Sequence, residues 1–67
     1  MDIEVAFDGD ELVIFAHVDG KRLKIAKRGE SGTRHAMTWI SLEPGWAVVS
    51  PPNHEWIEVS HNGVRVH

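Results

Sequence analysis

Histidines, carboxylates and tryptophans are the side chains in this sequence whose chemistry could carry a function. Five histidines invite a metal site: His17, His35, His54, His61 and His67. A zinc site needs three or four ligands converging on one point. No two of these histidines stand at a local ligand-pair spacing, and a hairpin register sets His17 beside Arg22, whose charge repels a cation. Glu58 opposite His67 is the best remaining pair, and it supplies only two ligands at a chain end. The histidines therefore read as surface or turn residues, and no metal or other cofactor is expected.

Catalysis is not expected either. The chain has no cysteine, which removes a thiolate nucleophile, thiolate zinc ligands and disulfides together. It has no Gly-x-Ser-x-Gly elbow and no metalloprotease helix motif. Gly29-Glu30-Ser31-Gly32 is glycine-containing but lacks the Lys-Ser/Thr pair and the following helix of a phosphate loop. The sequence predicts a non-enzymatic protein.

Charge is more informative. The net charge of −3 hides a segregation: residues 1–20 hold six acids and no Lys or Arg, and residues 21–34 hold six bases and one acid. Asp8, Asp10 and Glu11 gather at one hairpin tip, with Asp2, Glu4 and Asp19 near them. A rigid scaffold displaying carboxylates fits a basic surface on a partner by charge complementarity. Phe15, Trp39 and Trp56 alternate away from the aliphatic face and are candidates for an aromatic contribution, since aromatics are enriched at interfaces. A second small core is the competing role for them.

The principal reading is a small acidic inhibitor or regulator that binds a protein partner. In size and charge the chain is similar to phage-type inhibitors of nucleic-acid-handling or CRISPR machinery. The alternative is a nucleic-acid-binding module using Arg22, Lys24, Lys27, Arg28 and Arg34. Arg22, Lys24 and Arg28 would share an outward face with Phe15 and His17, and bases beside aromatics suit single strands. An overall pI of about 5.9 weighs against that alternative.

The elements that must position these groups are short strands. Ile3, Val5 and Phe7 alternate with polar neighbours up to Asp8-Gly9, a two-residue turn signal. Glu11 to Val18 runs to Asp19-Gly20, a second such signal, and Lys21 to Lys27 follows. The first turn would set Val5 opposite Leu12 and Ile3 opposite Ile14. The second would set Ala16 opposite Leu23 and Ile14 opposite Ile25. Both place Leu12, Ile14 and Ala16 on one apolar face, an agreement that a one-residue slip would destroy.

Residues 28–34 read as a polar loop. Residues 34–42 suit a strand or a short helix with Thr33 as its N-cap. Pro44-Gly45 suits a type II turn, Trp46 to Ser50 a strand with Trp46 inward, and residues 51–54 a turn. Glu55 to Ser60 reads as another strand. Asn62-Gly63 predicts a final hairpin with His61 opposite Val64 and Val59 opposite Val66. The run from Trp56 through Asn62-Gly63 resembles the last hairpin of bacterial SH3-like barrels, over about a dozen residues.

The expected fold is one all-β domain spanning 1–67, an antiparallel meander of six or seven strands. So many short strands must roll into a barrel or pack as a two-layer sandwich. Its core should centre on Ile3, Val5, Leu12, Ile14, Leu23, Ile25, Val48, Ile57 and Val59. A domain this small buries only about 60% of its unfolded surface, so packing must be good. No signal peptide is expected from the opening residues, and the longest apolar run, Leu12 to Ala16, is too short to span a membrane. A cytoplasmic monomer or homodimer is expected.

Overall fold

The computed structural model describes residues 1–31, 36–51, 53 and 55–67. Arg34, His35 and His54, and the expected cap Thr33, lie outside the described residues. Among the described residues there are seven strands and no helix. Strands β1 (Asp2–Asp8), β2 (Glu11–Val18), β3 (Lys21–Ser31) and β4 (Ala36–Ser41) form one antiparallel sheet in that order. Strands β5 (Trp46–Val49), β6 (Glu58–His61) and β7 (Val64–Arg65) form a second. The sheets are not closed into a barrel, so the two-layer alternative is the one adopted.

The second hairpin turns where the sequence predicts it. Asp19 and Gly20 both have positive φ, 51° and 75°, as a type I′ turn requires. The first hairpin turns one residue later than predicted. Asp8 pairs with Glu11, leaving Gly9-Asp10 as the turn, and Gly9 alone of these two has positive φ, 63°. That is the type II′ arrangement, with glycine at the first central position. Phe7 therefore faces Leu12, Val5 faces Ile14 and Ile3 faces Ala16. The slide is by two residues, so every side chain keeps its predicted face.

A register shift between Ile14 and Phe15 is the second departure. Phe15 pairs with Lys24, but Ile14 pairs with Ala26 rather than Ile25. An extra residue on one strand of an antiparallel pair is a β-bulge. Here it turns two successive side chains, Ile25 and Ala26, into the interior, each with no exposed surface. Beyond the bulge the alternation of β3 is inverted.

The third departure lies at the end of β3. Residues 28–31 are not loop: Arg28, Gly29, Glu30 and Ser31 pair with Trp39, Thr38, Met37 and Ala36. Gly29 fits because a Cβ there would stand 3.0 Å from the end of Ile40. Residues 36–41 are accordingly strand, not helix, consistent with their β-branched and aromatic content.

The chain then crosses from one sheet to the other through Pro44-Gly45, where Gly45 has the positive φ of a type II turn, 83°. The corner is tied by Ser41 Oγ donating to the Trp46 carbonyl at 2.8 Å and by Leu42 N–H donating to the Ile25 carbonyl at 2.9 Å. Residues 55–57, expected as strand, precede β6 without joining it. Asn62-Gly63 turns as predicted, with φ of 52° and 81°, and pairs His61 with Val64.

The core lies between the sheets. Ile14, Ala16, Ile25, Ala26, Trp46 and Val59 are buried together, with Ile3, Val18, Trp39, Val48, Ile57 and Val66 packed around them. Two residues expected at its centre are not there: Val5 is 43% and Leu23 37% exposed. They lie on the correct face, but the smaller second sheet does not extend over them. Leu12 is half-buried.

Candidate functional site

Strand alternation places Asp2, Glu4, Ala6 and Asp8 of β1 on the outer face of the large sheet. With them stand Glu11, Val13, Phe15 and His17 of β2, then Arg22 and Lys24 of β3. The bulge brings Lys27 to this face, opposite Val13, and removes Arg28 from it. Glu4, Asp8 and Glu11 of the acidic candidates thus share one surface with Arg22, Lys24 and Lys27 of the basic ones, and there they pair.

Arg22 donates to Glu4 through Nε at 3.1 Å and Nη2 at 2.9 Å. His17 Nε2 meets the same carboxylate at 2.7 Å. Lys24 pairs with Asp8 at 2.7 Å and Lys27 with Glu11 at 3.4 Å. The Arg22 guanidinium also lies over the Phe15 ring, 3.6 Å from its centroid. A delocalised cation on a π-face is attracted by the ring quadrupole. These contacts hold the Glu4 carboxyl down at about 2, mainly through the Arg22 hydrogen bonds and then through His17. The Lys24 ammonium lowers Asp8 in the same sense, and Glu4 raises Arg22.

Val13 completes this face. It is 1% exposed and is not a member of the inter-sheet core. Its cross-strand neighbours are Ala6 and Lys27, and Glu11 and Phe15 flank it on β2. Long charged side chains bury their stems while their heads stay in water, which accounts for a dry valine on an outer face.

Arg28 sits on the inner side instead. Its guanidinium stands 5.6 Å from the Trp39 ring centroid, and Ser50 accepts from Trp39 Nε1 at 2.7 Å and from Arg28 Nη1 at 3.4 Å. Trp39 was expected to face away from the core; after the bulge it packs against the core, half-buried. Phe15 is half-buried beneath Arg22. Only Trp56 of the three candidate aromatics is well exposed, at 53%.

Glu58, the carboxylate considered with His67 above, has a different partner. Glu58 meets Arg65 Nε at 3.4 Å, and the His67 carbonyl accepts from Val59 N–H. Among the described residues no three metal-ligating side chains converge, and no helix is long and apolar enough to cross a membrane. His61 stacks on Trp46, with centroids 4.0 Å apart and planes 10° from parallel.

The feature that sequence reasoning missed is the edge of β1. Among the described residues this strand pairs with β2 on one side and with no strand on the other. Its inward-facing apolar row emerges from under the second sheet: Ile3 packs on the core, Val5 is 43% exposed and Phe7 74% exposed. Among the described residues Asp2 and Asp10, at the two ends of this strand and its turn, form no ion pair. The signal available in the sequence was the count of strands on each side: the shorter closing hairpins cannot cover a first sheet this long.

Compared with protein-family models, characterised proteins and solved structures, the chain matches none. It is a small two-sheet β protein, and its functional reading rests on this surface.

Proposed function

We propose that this chain is a small non-enzymatic inhibitor or regulator that binds a protein partner in the cytoplasm through its β1–β2 hairpin. The observation that carries the reading is Phe7, 74% exposed on a strand with no second neighbour among the described residues, with the carboxylates of Glu4 and Asp8 on that strand's opposite face. A large exposed aromatic costs solubility and adds nothing to the core, whereas a protein interface uses such a residue as an anchor. The surrounding acids supply orientation and on-rate. Asp2 and Asp10 are the acids best placed for this, because Glu4, Asp8 and Glu11 already hold internal cations.

The nucleic-acid alternative has less support. Arg22, Lys24 and Lys27 each carry a carboxylate partner, and Arg28 turns toward Trp39 and Ser50. A phosphate backbone would have to displace those carboxylates.

The test is affinity capture with wild type, Phe7→Ser, Asp10→Lys and, as a control on the other sheet, Val64→Ser. The reading expects a protein retained by wild type and Val64→Ser, weakened by Asp10→Lys and lost with Phe7→Ser. Equal capture by all four, or retention of nucleic acid that falls steeply with salt, overturns it.

A further inference from the structure

The β1 edge also specifies the chemistry of its occupant, an inference that rests on the binding role of this hairpin. In a two-residue hairpin the residues flanking the turn, Asp8 and Glu11, exchange both backbone hydrogen bonds. Alternation then directs the N–H and C=O of Ile3, Val5 and Phe7 outward, away from β2. A row of unpaired backbone groups is a template for another strand. Such a strand would lie about 4.8 Å from β1 and continue its two faces.

Those faces differ sharply. On one, Ile3, Val5 and Phe7 offer apolar surface, increasingly exposed toward the turn. On the other stand Asp2, Glu4, Ala6 and Asp8. Residues 1–20 contain no Lys or Arg, and the cations that pair with Glu4 and Asp8 reach them from β3, across β2. The carboxylates therefore form the outer rim, with compensating charge on their inner side only. Asp8 uses Oδ2 for Lys24, and Asp2 makes no ion pair among the described residues.

The protein already contains a strand that satisfies the same carboxylates from within. Arg22-Leu23-Lys24-Ile25 alternates bases and apolar residues, and Arg22 and Lys24 hold Glu4 and Asp8. We propose that the β1 edge accepts an extended segment of a partner protein in which Lys or Arg alternates with apolar residues. The added strand sets its bases against Asp2, Glu4 and Asp8 and its apolar side chains beside Val5 and Phe7. A second copy of this chain fits less well. The antiparallel register that pairs all three outward residues centres on Val5 and sets Asp2 of one copy opposite Asp8 of the other, and like charges directly opposed are destabilising.

The experiment uses the full chain with three short synthetic peptides: Lys alternating with Val, Glu alternating with Val, and a scrambled Lys/Val order. Affinity is read by calorimetry at low and at moderate salt, and amide hydrogen exchange is followed residue by residue. The Lys–Val peptide should bind at least about tenfold more tightly than either other peptide. It should weaken with added salt and slow exchange at Ile3, Val5 and Phe7. Phe7→Ser and Asp2→Lys should each reduce its binding while core amides such as Ile14 remain protected, which shows the variants are folded.

Equal binding of the Lys–Val and Glu–Val peptides overturns the proposal, as does binding that leaves the three β1 amides unchanged. Concentration-dependent protection of those amides in the protein alone, with a doubled mass, assigns the edge to a second copy and also overturns it. If capture of a protein depends on Phe7 while the Lys–Val peptide fails, the binding role stands and the partner chemistry falls. If the peptide binds as described while capture ignores Phe7, the edge chemistry stands and the hairpin's role as the capturing surface falls.

Discussion

Glu4 and Arg22 stand two strands apart and are joined by a two-pronged contact that passes over Phe15. This pair explains why the segregated charges of the sequence do not produce two separate charged surfaces. Glu4, Asp8 and Glu11 of β1 and β2 and Arg22, Lys24 and Lys27 of β3 point from one face. The antiparallel meander brings them within ion-pair distance, and the aromatic ring beneath Arg22 helps fix its plane.

The Glu4 carboxyl is held at about 2 against an ordinary value of 4.5. Between those values the unfolded chain binds more protons than the folded one, so the pair's stabilisation is fully present above about pH 4.5 and fades toward about pH 2. Thermal melts across that range should show stability declining as pH falls, and Glu4→Gln should flatten the decline. An acid limb of the same steepness in Glu4→Gln contradicts the assignment.

The first turn separates two glycine-containing readings. Gly9 has a φ of 63°, whereas Asp10 does not enter the left-handed region. Gly9→Ala should destabilise the protein by at least about 1 kcal/mol, and Asp10→Ala should leave the urea midpoint nearly unchanged. Tolerance of Gly9→Ala would mean that the turn lies elsewhere.

Ile14 and Phe7 are both large apolar residues of the first hairpin, but only one belongs to the core. Ile14→Ala removes a fully buried side chain and should cost about 2–5 kcal/mol. Phe7→Ser should stay within about 0.5 kcal/mol of wild type, as substitutions on exposed surface do. Denaturant unfolding measures both. A large loss with Phe7→Ser would assign that residue to folding rather than to contact.

Val13 tests the outer face. It is 1% exposed beneath the charged side chains, so Val13→Ala should cost about 1.5–3 kcal/mol. A change below about 0.5 kcal/mol would place Val13 in water and would separate the ion pairs from any shared packing.

Much of the fold was legible because face alternation survives small errors. The first turn is displaced by one position and its register by two, yet Ile3, Val5 and Phe7 keep the face that Asp8-Gly9 predicted. Asp19-Gly20 and Asn62-Gly63 were readable because consecutive positive φ angles restrict the residues that serve. The bulge was not readable. Ile25 and Ala26 are both apolar and give no local sign that one is extra, and the inversion moves Arg28 and Trp39 to the other face. Residues 28–31 looked like loop by composition, but the Gly29–Ile40 contact belongs to tertiary packing. The ion pairs of Glu4 with Arg22 and of Asp8 with Lys24 were not readable, because pairing across two strands depends on the register of both hairpins at once.

Backbone hydrogen exchange in the free protein tests the central structural claim most directly. An open β1 edge predicts alternation along one strand, with rapid exchange at Ile3, Val5 and Phe7 and slow exchange at Glu4, Ala6 and Asp8, whose amides bond to β2. Uniform slow exchange along all of β1 would contradict it, because the edge offered to a partner would then already be covered.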